Sequence, residues 1–519
     1  MTHATVTTQF LMASTLRKFS SKLFAKIEDV ECTYQDVHLN SNRIANGIQA
    51  RGFGPGDRIA VAIPNSLEII YTTFGVFKSG ATVVGINMLV GDKDLQFILN
   101  DANVKMIFAD TSVEERVLRM KDELPNLKTI VTVGGKTRDN IIAWEELVNG
   151  YTDENPPQTA SPDDDAVIVY TGGTTGNPKG VIHSQASFYY LLLAQSLGFN
   201  LLPSDKIMLM TPLAHAAGAI MYLGCVNGVS FIIEKRPDLF RLLDLIQKEK
   251  VTVMFLVPTI IYILLDVLKA GNYDMSSLRM IIYGAAPIAE GRLVEAMETF
   301  GPILLQLYGL TECPQAVTVL SIDDHVRALK NPKILSSCGK PCQMVDVRIT
   351  DDNGKVLPPG EVGEILVHAP FIMKGYLNHP EMTAEVMRGS WLRSGDMGKM
   401  DEDGYVYIVD RKKDMIITGG FNVYCSSVEN VISKHPKVKQ VAVIGIPDEK
   451  WGESVTAVVI SDGELSEEEI LSFCKGKLNK YEQPKKVIFT DQIPATSIGK
   501  IDKKALRAPY WEGKGRSVN

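Results

Sequence analysis

The stretch AVIVYTGGTTGNPKG, Ala166 to Gly180, decides how this chain is read. Ala166 to Tyr170 is an apolar run that reads as a buried strand, and it empties into a turn of glycines and threonines followed by Lys179. Gly172, Gly173 and Gly176 let the backbone adopt positive φ and approach an anion closely. Thr171, Thr174 and Thr175 add hydroxyl donors, and Lys179 adds a charge. Backbone donors with one lysine suit a polyphosphate. The stretch is not the common phosphate loop, G-x-x-x-x-G-K-[ST]. Pro178 stands where that loop begins its helix, and Gly180 where it carries a magnesium-holding hydroxyl. A strand feeding such a turn puts N–H groups at a strand's carboxyl end, where α/β sheets bind ligands.

Outward from this stretch the pattern alternates. Arg58–Ile63, Met106–Ala109, Val251–Val257 and Met280–Tyr283 are short apolar runs that predict buried strands. Leu95, Ile98, Leu99 and Ala102 fall at i, i+3, i+4 and i+7, the period of a helix. Strands alternating with helices from about Thr33 to Thr350 predict an α/β fold with largely parallel sheets covered on both faces. The acidic, proline-bearing stretch Asp153–Asp165 predicts a surface linker. After Pro341 the texture changes. DDNGKVLPPGEVGEI and DEDGYVYIVD carry Asn-Gly and Asp-Gly turns and predict a small β-rich subdomain over about 341–410. Past it, Val441–Ile446 and Val455–Ile460 read as strands, and Ser466 with Glu469 forms a capping box before a helix around Ile470–Leu478. The polar Asp410–Asp414 segment reads as the joint between an N-terminal domain, 1–410, and a C-terminal domain, 411–519.

Bulk properties narrow the function. A chain of 519 residues is too long for one core. Net charge is −7 and no basic block stands out, which argues against nucleic acid as a partner. Seven scattered cysteines, an odd number, suit free thiols in a reducing, cytoplasmic compartment. Cys338 and Cys342 lack a second pair to complete a zinc site. Met1–Ile27, free of acids in its first residues and carrying Arg17, Lys18, Lys22 and Lys26, has the composition of a mitochondrial presequence. It also reads as a first helix with Leu11, Thr15, Phe19 and Leu23 along one side. Ile207–Ile233 has no charged residue, yet Pro212, His215, Asn227 and its glycines predict strand, turn, helix and strand in place of a membrane span.

Other clusters carry chemistry. In QLYGLTEC, Tyr308 offers a stacking face, Thr311 a phosphate donor and Glu312 a hard oxygen ligand for Mg²⁺. In SGDMG, Asp396 has the chemistry to accept hydrogen bonds from two ribose hydroxyls. Arg411 lies at the joint, and Lys500 follows a glycine near the C-terminus. Taken singly, Glu312 also reads as a surface acid, Asp396 as a turn former and Lys500 as one lysine in a run with Lys503 and Lys504.

Taken in order, YTGGTTGNPKG, PLAHAAG, YGAAP, YGLTE, SGD, DRKKDMIITGGFNVY and GK match one pattern. From about Thr33 to Lys503 the chain resembles the superfamily of adenylate-forming enzymes: acyl- and aryl-CoA synthetases, peptide-synthetase adenylation domains and beetle luciferases. The resemblance implies a large N-terminal domain of two mainly parallel sheets with helices, plus the β-rich subdomain, and a small mobile α+β C-terminal domain. It implies ATP, Mg²⁺ and coenzyme A as cofactors and co-substrates. The segment from Thr171 through Gly172, Gly173, Thr174, Thr175 and Gly176 to Lys179 would wrap the β- and γ-phosphates of ATP. Tyr308 would stack on adenine, with Gly284 and Ala285 lining that slot. Thr311 would touch the α-phosphate and Glu312 would hold Mg²⁺. Asp396 and Arg411 would bind ribose, and His215 would sit beside the acyl pocket. Lys500 would reach the substrate carboxylate and α-phosphate. Lys413 matches the hinge position, and Gly419 and Gly420 would line the pantetheine tunnel.

The implied activity is an acid–CoA ligase acting through an acyl-AMP, with a carboxylic acid, ATP and CoA as small-molecule partners and a homodimer left open. A stand-alone ligase loading a carrier-protein thiol and a non-catalytic nucleotide sensor are the alternatives. The phosphate loop usually has serine where Gly172 stands, and Pro-x-Glu usually follows GGFNVY where this chain has Cys425-Ser426-Ser427. Small residues at Ala216 and Ala217, and the absence of long insertions, favour a medium-chain fatty or aryl-aliphatic acid.

Overall fold

A computed structural model describes residues 6–171, 177–214, 216–235, 238–271, 273–494 and 501–512, apart from the side chains of residues 270 and 316. The fold is α/β, and the chain forms two compact units. The first comprises Met1–Asp346 and His368–Glu385; the second comprises Val347–Val367 and Val386–Asn519. The joint read at Arg411 falls inside the second unit, where the strand Val406–Arg411 pairs with Trp391–Met400.

The first unit holds two large sheets. One has eight strands, in the order Gly375–Tyr376, Lys179–Ser184, Asp165–Thr171, Thr82–Gly85, Arg58–Ala62, Met106–Asp110, Thr129–Val133 and Ile141–Ala143. From Asp165–Thr171 onward every pairing is parallel, whereas the two strands beyond it pair antiparallel. The core against this sheet draws Ala60, Val84, Ile107, Ile130 and Ile168 from five strands and Leu95, Ile98 and Leu99 from the helix Asp92–Asp101. Burial on both faces is why these strands read as continuous apolar runs without alternation. The other sheet has nine strands, with a parallel middle running through Leu23–Ile27, Ser230–Ile233, Lys206–Leu209, Val253–Leu256, Met280–Gly284 and Leu304–Leu310. Its edges are again antiparallel, at Cys313–Leu320, Lys340–Pro341 and Val30–Thr33. The uncharged stretch folds as expected: strand Lys206–Leu209, helix Ala216–Asn227, strand Ser230–Ile233. No helix among the described residues is long and apolar enough to cross a membrane.

The second unit holds two five-stranded sheets. In one, Gly363–His368 and Trp391–Met400 are antiparallel, and Val406–Arg411 returns after the Asp401–Gly404 turn. In the other, Val438–Asp448 and Gly452–Ser461 form a long hairpin, and Lys486–Phe489 pairs parallel with the latter.

Two helix expectations change. The first helix spans Thr8–Lys18 and buries Gln9, Met12, Ala13, Thr15 and Leu16; of the expected stripe Thr15 is buried, Leu11 is half-buried, and Phe19 and Leu23 lie beyond its last turn. Phe19 caps it, and Leu23 already begins a strand whose pairing with Ser230–Ile233 outweighs the local helical period. The capping box at Ser466 and Glu469 is present, but the helix it starts, Glu467–Cys474, stops before Leu478. Lys475, whose backbone is extended, ends it, and Gly476 follows at φ +74°, in the left-handed region that favours glycine. All seven cysteines are free and buried.

Three buried histidines give the fold a pH dependence. Burial holds His183 and His325 down at about pKa 4; burial and then the Lys78 ammonium do the same for His38. His325 donates from Nδ1 to Ser321 O (2.8 Å), and its Nε2 lies 3.1 Å from the Tyr283 hydroxyl, which donates to Gln306 Oε1 (3.1 Å). The unfolded chain protonates its imidazoles below about pH 6.5. The folded chain refuses those protons until about 4, so this contribution to stability is whole above 6.5 and is lost as pH falls toward 4. We expect His325→Gln to flatten the fall in urea stability between pH 7 and pH 5 by about one proton. An unchanged slope contradicts this assignment.

Candidate active site

Two segments of the first unit that carry expected site residues lie where a parallel sheet switches to an antiparallel hairpin. The strand Asp165–Thr171 returns as Lys179–Ser184, with Thr171 opposite Lys179 and Tyr170 opposite Gly180. This is a strand–loop–strand unit, so no helix N-terminus follows the glycines, in keeping with Pro178. Gly180 is crowded: a Cβ there would lie 3.1 Å from the Tyr170 ring and from Ile168, and 3.2 Å from Leu377. A hydroxyl-bearing residue after Lys179 would have to push these side chains back by a few tenths of an ångström, whereas glycine fits without a shift. Gly172, Gly173, Thr174, Thr175 and Gly176 lie outside the described residues, as do His215 and Lys500.

The second turn joins Leu304–Leu310 to Cys313–Leu320 and carries Thr311 and Glu312. Gly309 permits a tight return, because a Cβ there would lie 2.5 Å from Gln315 N. The turn is held from outside at three points. His183 donates from Nε2 to Thr311 O (2.9 Å), Met373 N donates to Glu312 O (2.7 Å), and the Tyr376 hydroxyl donates to Glu312 Oε1 (2.6 Å). His183 Nδ1 is buried with no hydrogen-bond partner, so the neutral ring's one proton sits on Nε2. Burial first, then the Glu312 charge and its hydrogen bond, pushes the Tyr376 phenol up, so it stays a donor. The Lys179 ammonium lies 5.8 Å from the centre of the Tyr376 ring. Lys179, Tyr376 and Glu312 thus form one cluster linking the two turns.

Sequence reasoning missed His183 and Tyr376. Tyr376 arrives on His368–Glu385, whose short strand Gly375–Tyr376 pairs with Val181 and Ile182, while Leu377 N donates to Gly180 O (2.8 Å). Lys374 anchors the segment through Asp165 (2.9 Å). The only local signal was the short Gly-Tyr run before the turn-forming Asn-His-Pro.

Gly284 ends its strand opposite Leu307, and a Cβ there would sit 2.6 Å from Leu307 O. Ala285 follows at φ +68°, a left-handed conformation that costs a non-glycine residue about 1 kcal/mol or more. Tyr308, buried at 8% exposure, follows Leu307 in the neighbouring strand, which continues to Leu310. The structure therefore brings Gly284, Ala285 and Tyr308 together near the carboxyl ends of two adjacent strands.

In the second unit, Asp396 and Arg411 face each other across two strands and pair directly, Nε to Oδ1 at 2.7 Å, with Asp396 buried. Lys412, Lys413 and Asp414 form one short turn. Gly419 and Gly420, at φ +58° and +81°, make the two-residue turn between Ile416–Thr418 and Phe421–Val423. Gly419 lies against Trp451, whose ring would be 2.6 Å from any Cβ there. Among the described residues, no group of three or more His, Cys, Asp or Glu side chains gathers to hold a metal.

Comparison with known proteins agrees with this geometry. Residues 13–377 match the model of the AMP-binding enzyme family, and residues 427–500 that of the AMP-binding enzyme C-terminal domain. The medium/long-chain fatty-acid–CoA ligase FadD8 of Mycobacterium tuberculosis is 34% identical, over 98% of this chain and 91% of that one. A feruloyl-CoA synthase from an Amycolatopsis species is 34% identical, over 92% of this chain and 94% of that one. Among solved structures, ATP-bound MatB from Rhodopseudomonas palustris superposes with a TM-score of 0.88 at 30% identity, covering 98% of this chain and all of that one. The chain belongs to the AMP-binding, adenylate-forming superfamily of enzymes.

Proposed function

We propose that this protein is an ATP-dependent acid–CoA ligase of the acyl-CoA synthetase class. The observation that carries the reading is the Lys179–Tyr376–Glu312 cluster, which links the phosphate-loop hairpin to the Thr311–Glu312 turn. Two similar proteins, one named for fatty acids and one for ferulate, support a medium-chain fatty or aryl-aliphatic acid as substrate. Seven free, buried thiols support a reducing, cytoplasmic setting.

A carboxylate is a poor electrophile because its leaving group would be oxide. In the first step a carboxylate oxygen attacks the α-phosphorus of ATP, the bond to the β-phosphate breaks, and pyrophosphate leaves with its electron pair. In the second, the CoA sulfur, having given its proton to solvent, attacks the acyl carbon and AMP leaves. The first step brings two anions together, a repulsion on the order of 4 kcal/mol at about 4 Å and an effective dielectric near 20. Lys179 and the Thr171–Gly176 loop would hold the departing phosphates, and Lys500 would sit between carboxylate and α-phosphate. Glu312 supplies one hard carboxylate oxygen, which fits a Mg²⁺ site completed by substrate phosphates and water. When bound there, Mg²⁺ supplies positive charge against the phosphate oxygens. Tyr376 and His183 hold Glu312 and Thr311 in place, which favours catalysis by groups fixed before charge develops. Tyr308, Gly284 and Ala285 would form the adenine slot. Asp396 and Arg411 would meet the ribose, with their ion pair fixing the carboxylate beforehand. Lys413 would serve as the hinge, and Gly419 and Gly420 would face the CoA arm.

The decisive experiment is acid-dependent ATP–pyrophosphate exchange over aliphatic acids of increasing length, benzoates and cinnamates. Exchange is expected with at least one class, and silence across all of them sinks the ligase reading. CoA is expected to release AMP and thioester where a holo-carrier protein does not. Tyr376→Phe leaves Glu312 without its hydrogen bond, worth about 1.5–3 kcal/mol to a charged group, so adenylation should slow roughly ten- to a hundredfold. His183→Gln keeps an amide donor and should retain more exchange than His183→Ala; equal losses would remove His183 from this role.

A further inference from the structure

The last described helix, Lys503–Trp511, begins three residues after Lys500. Leu506 and Tyr510, with Ile501 just before the helix, pack against Ala442, Ile444, Val458 and Ile493, and Trp511 donates from Nε1 to Gly445 O (2.9 Å). Lys503 and Arg507, one turn apart, border these apolar residues around the helix. Lys503 pairs with Glu429 (2.7 Å), and Arg507 pairs with Asp414 (2.9 Å), the last residue of the Lys412–Asp414 turn. All four side chains are four-fifths buried or more. The entry to the helix is also fixed, because Asp502 N donates to Pro494 O (2.8 Å), joining the two sides of the segment that contains Lys500.

The turn that Arg507 grips is held from a second direction. Cys425, which stands where the family pattern has proline, and Ser426 open the helix Cys425–Ile432. The fully buried Cys425 thiol donates to Asp414 O (3.0 Å), a bond that proline at this position does not make. Ser426 N donates to Asp410 Oδ2 (3.3 Å), and its hydroxyl donates to Val409 O. On the near side of the turn, Lys412 pairs with Asp352 (2.6 Å) and Glu364 (3.2 Å). Lys413 therefore stands between two residues anchored to different layers, Lys412 to one five-stranded sheet and Asp414 to the two helices.

We propose that Arg507 is a positioning residue for adenylation: through Asp414 it locks the C-terminal helix, and with it the segment carrying Lys500, to the Lys412–Asp414 turn. The proposal rests on the ligase reading and adds to it a residue that touches no substrate. Its fixed geometry matters because misplacing a reacting group by about 1 Å costs on the order of a hundredfold in rate.

The test compares the full-length wild type, Arg507→Ala and Arg507→Lys in the two half-reactions separately. Acid-dependent ATP–pyrophosphate exchange reads adenylation, and release of AMP from a supplied acyl-adenylate by CoA reads thioester formation. Arg507→Ala is expected to lower the maximal exchange rate on the order of ten- to a hundredfold, with little change in the KM for ATP and a much smaller loss in thioester formation. Arg507→Lys, which keeps the charge opposite Asp414, is expected to recover most of the exchange. The proposal is overturned if Arg507→Ala retains exchange, if both half-reactions fall by one common factor, or if the loss matches the unfolded fraction seen by circular dichroism. A wild type silent in exchange with every acid would instead overturn the ligase reading, and this proposal with it.

Discussion

The hydrogen bond from the Tyr376 hydroxyl to the Glu312 carboxylate is the contact on which the first unit's site depends. It joins the Thr311–Glu312 turn to the insertion His368–Glu385, whose short strand in turn pairs with the Asp165–Ser184 hairpin. Under the ligase reading proposed above, the Glu312 carboxylate would hold a metal against phosphates and would need a fixed direction. A neighbouring phenol kept protonated by burial donates to one of its oxygens and fixes it. The backbone bonds to Thr311 and Glu312 fix the turn beneath it.

Placement of this site at the antiparallel ends of two mainly parallel sheets has a physical logic. Parallel strands need long crossovers, whereas a hairpin returns the chain within a few residues and brings its two ends into register. Thr171 and Lys179 are cross-strand partners for that reason, though the glycine-rich segment lies between them. A hairpin also presents its backbone from two strands, where a loop feeding a helix depends on the helix N-terminus to attract anions.

Much of this was legible in the sequence because it is local. Apolar runs marked Arg58–Ala62, Met106–Asp110 and Met280–Gly284, and Ser466 with Glu469 marked a helix start. The motif order pointed to the family before any contact was seen. What was not legible is made by partners far apart in the chain. His183 and Thr311 are 128 residues apart, and Tyr376 and Glu312 are 64. No local period encodes which strand edge a two-residue strand will join. The first helix was misjudged for the same reason: Phe19 and Leu23 fit its stripe, yet strand pairing took Leu23.

The return of His368–Glu385 to the first unit bears on how the chain can be divided. A fragment ending at Asp346 would contain both large sheets yet lack the edge strand beside Lys179–Ser184 and the phenol that steadies Glu312. One ending at Asp410 would restore both but carry Val347–Val367 and Val386–Asp410, strands cut from the unit that buries them. No single cut yields an intact first unit alone, so the polypeptide behaves as one indivisible product of translation, its first body complete only after the ribosome has already begun the second.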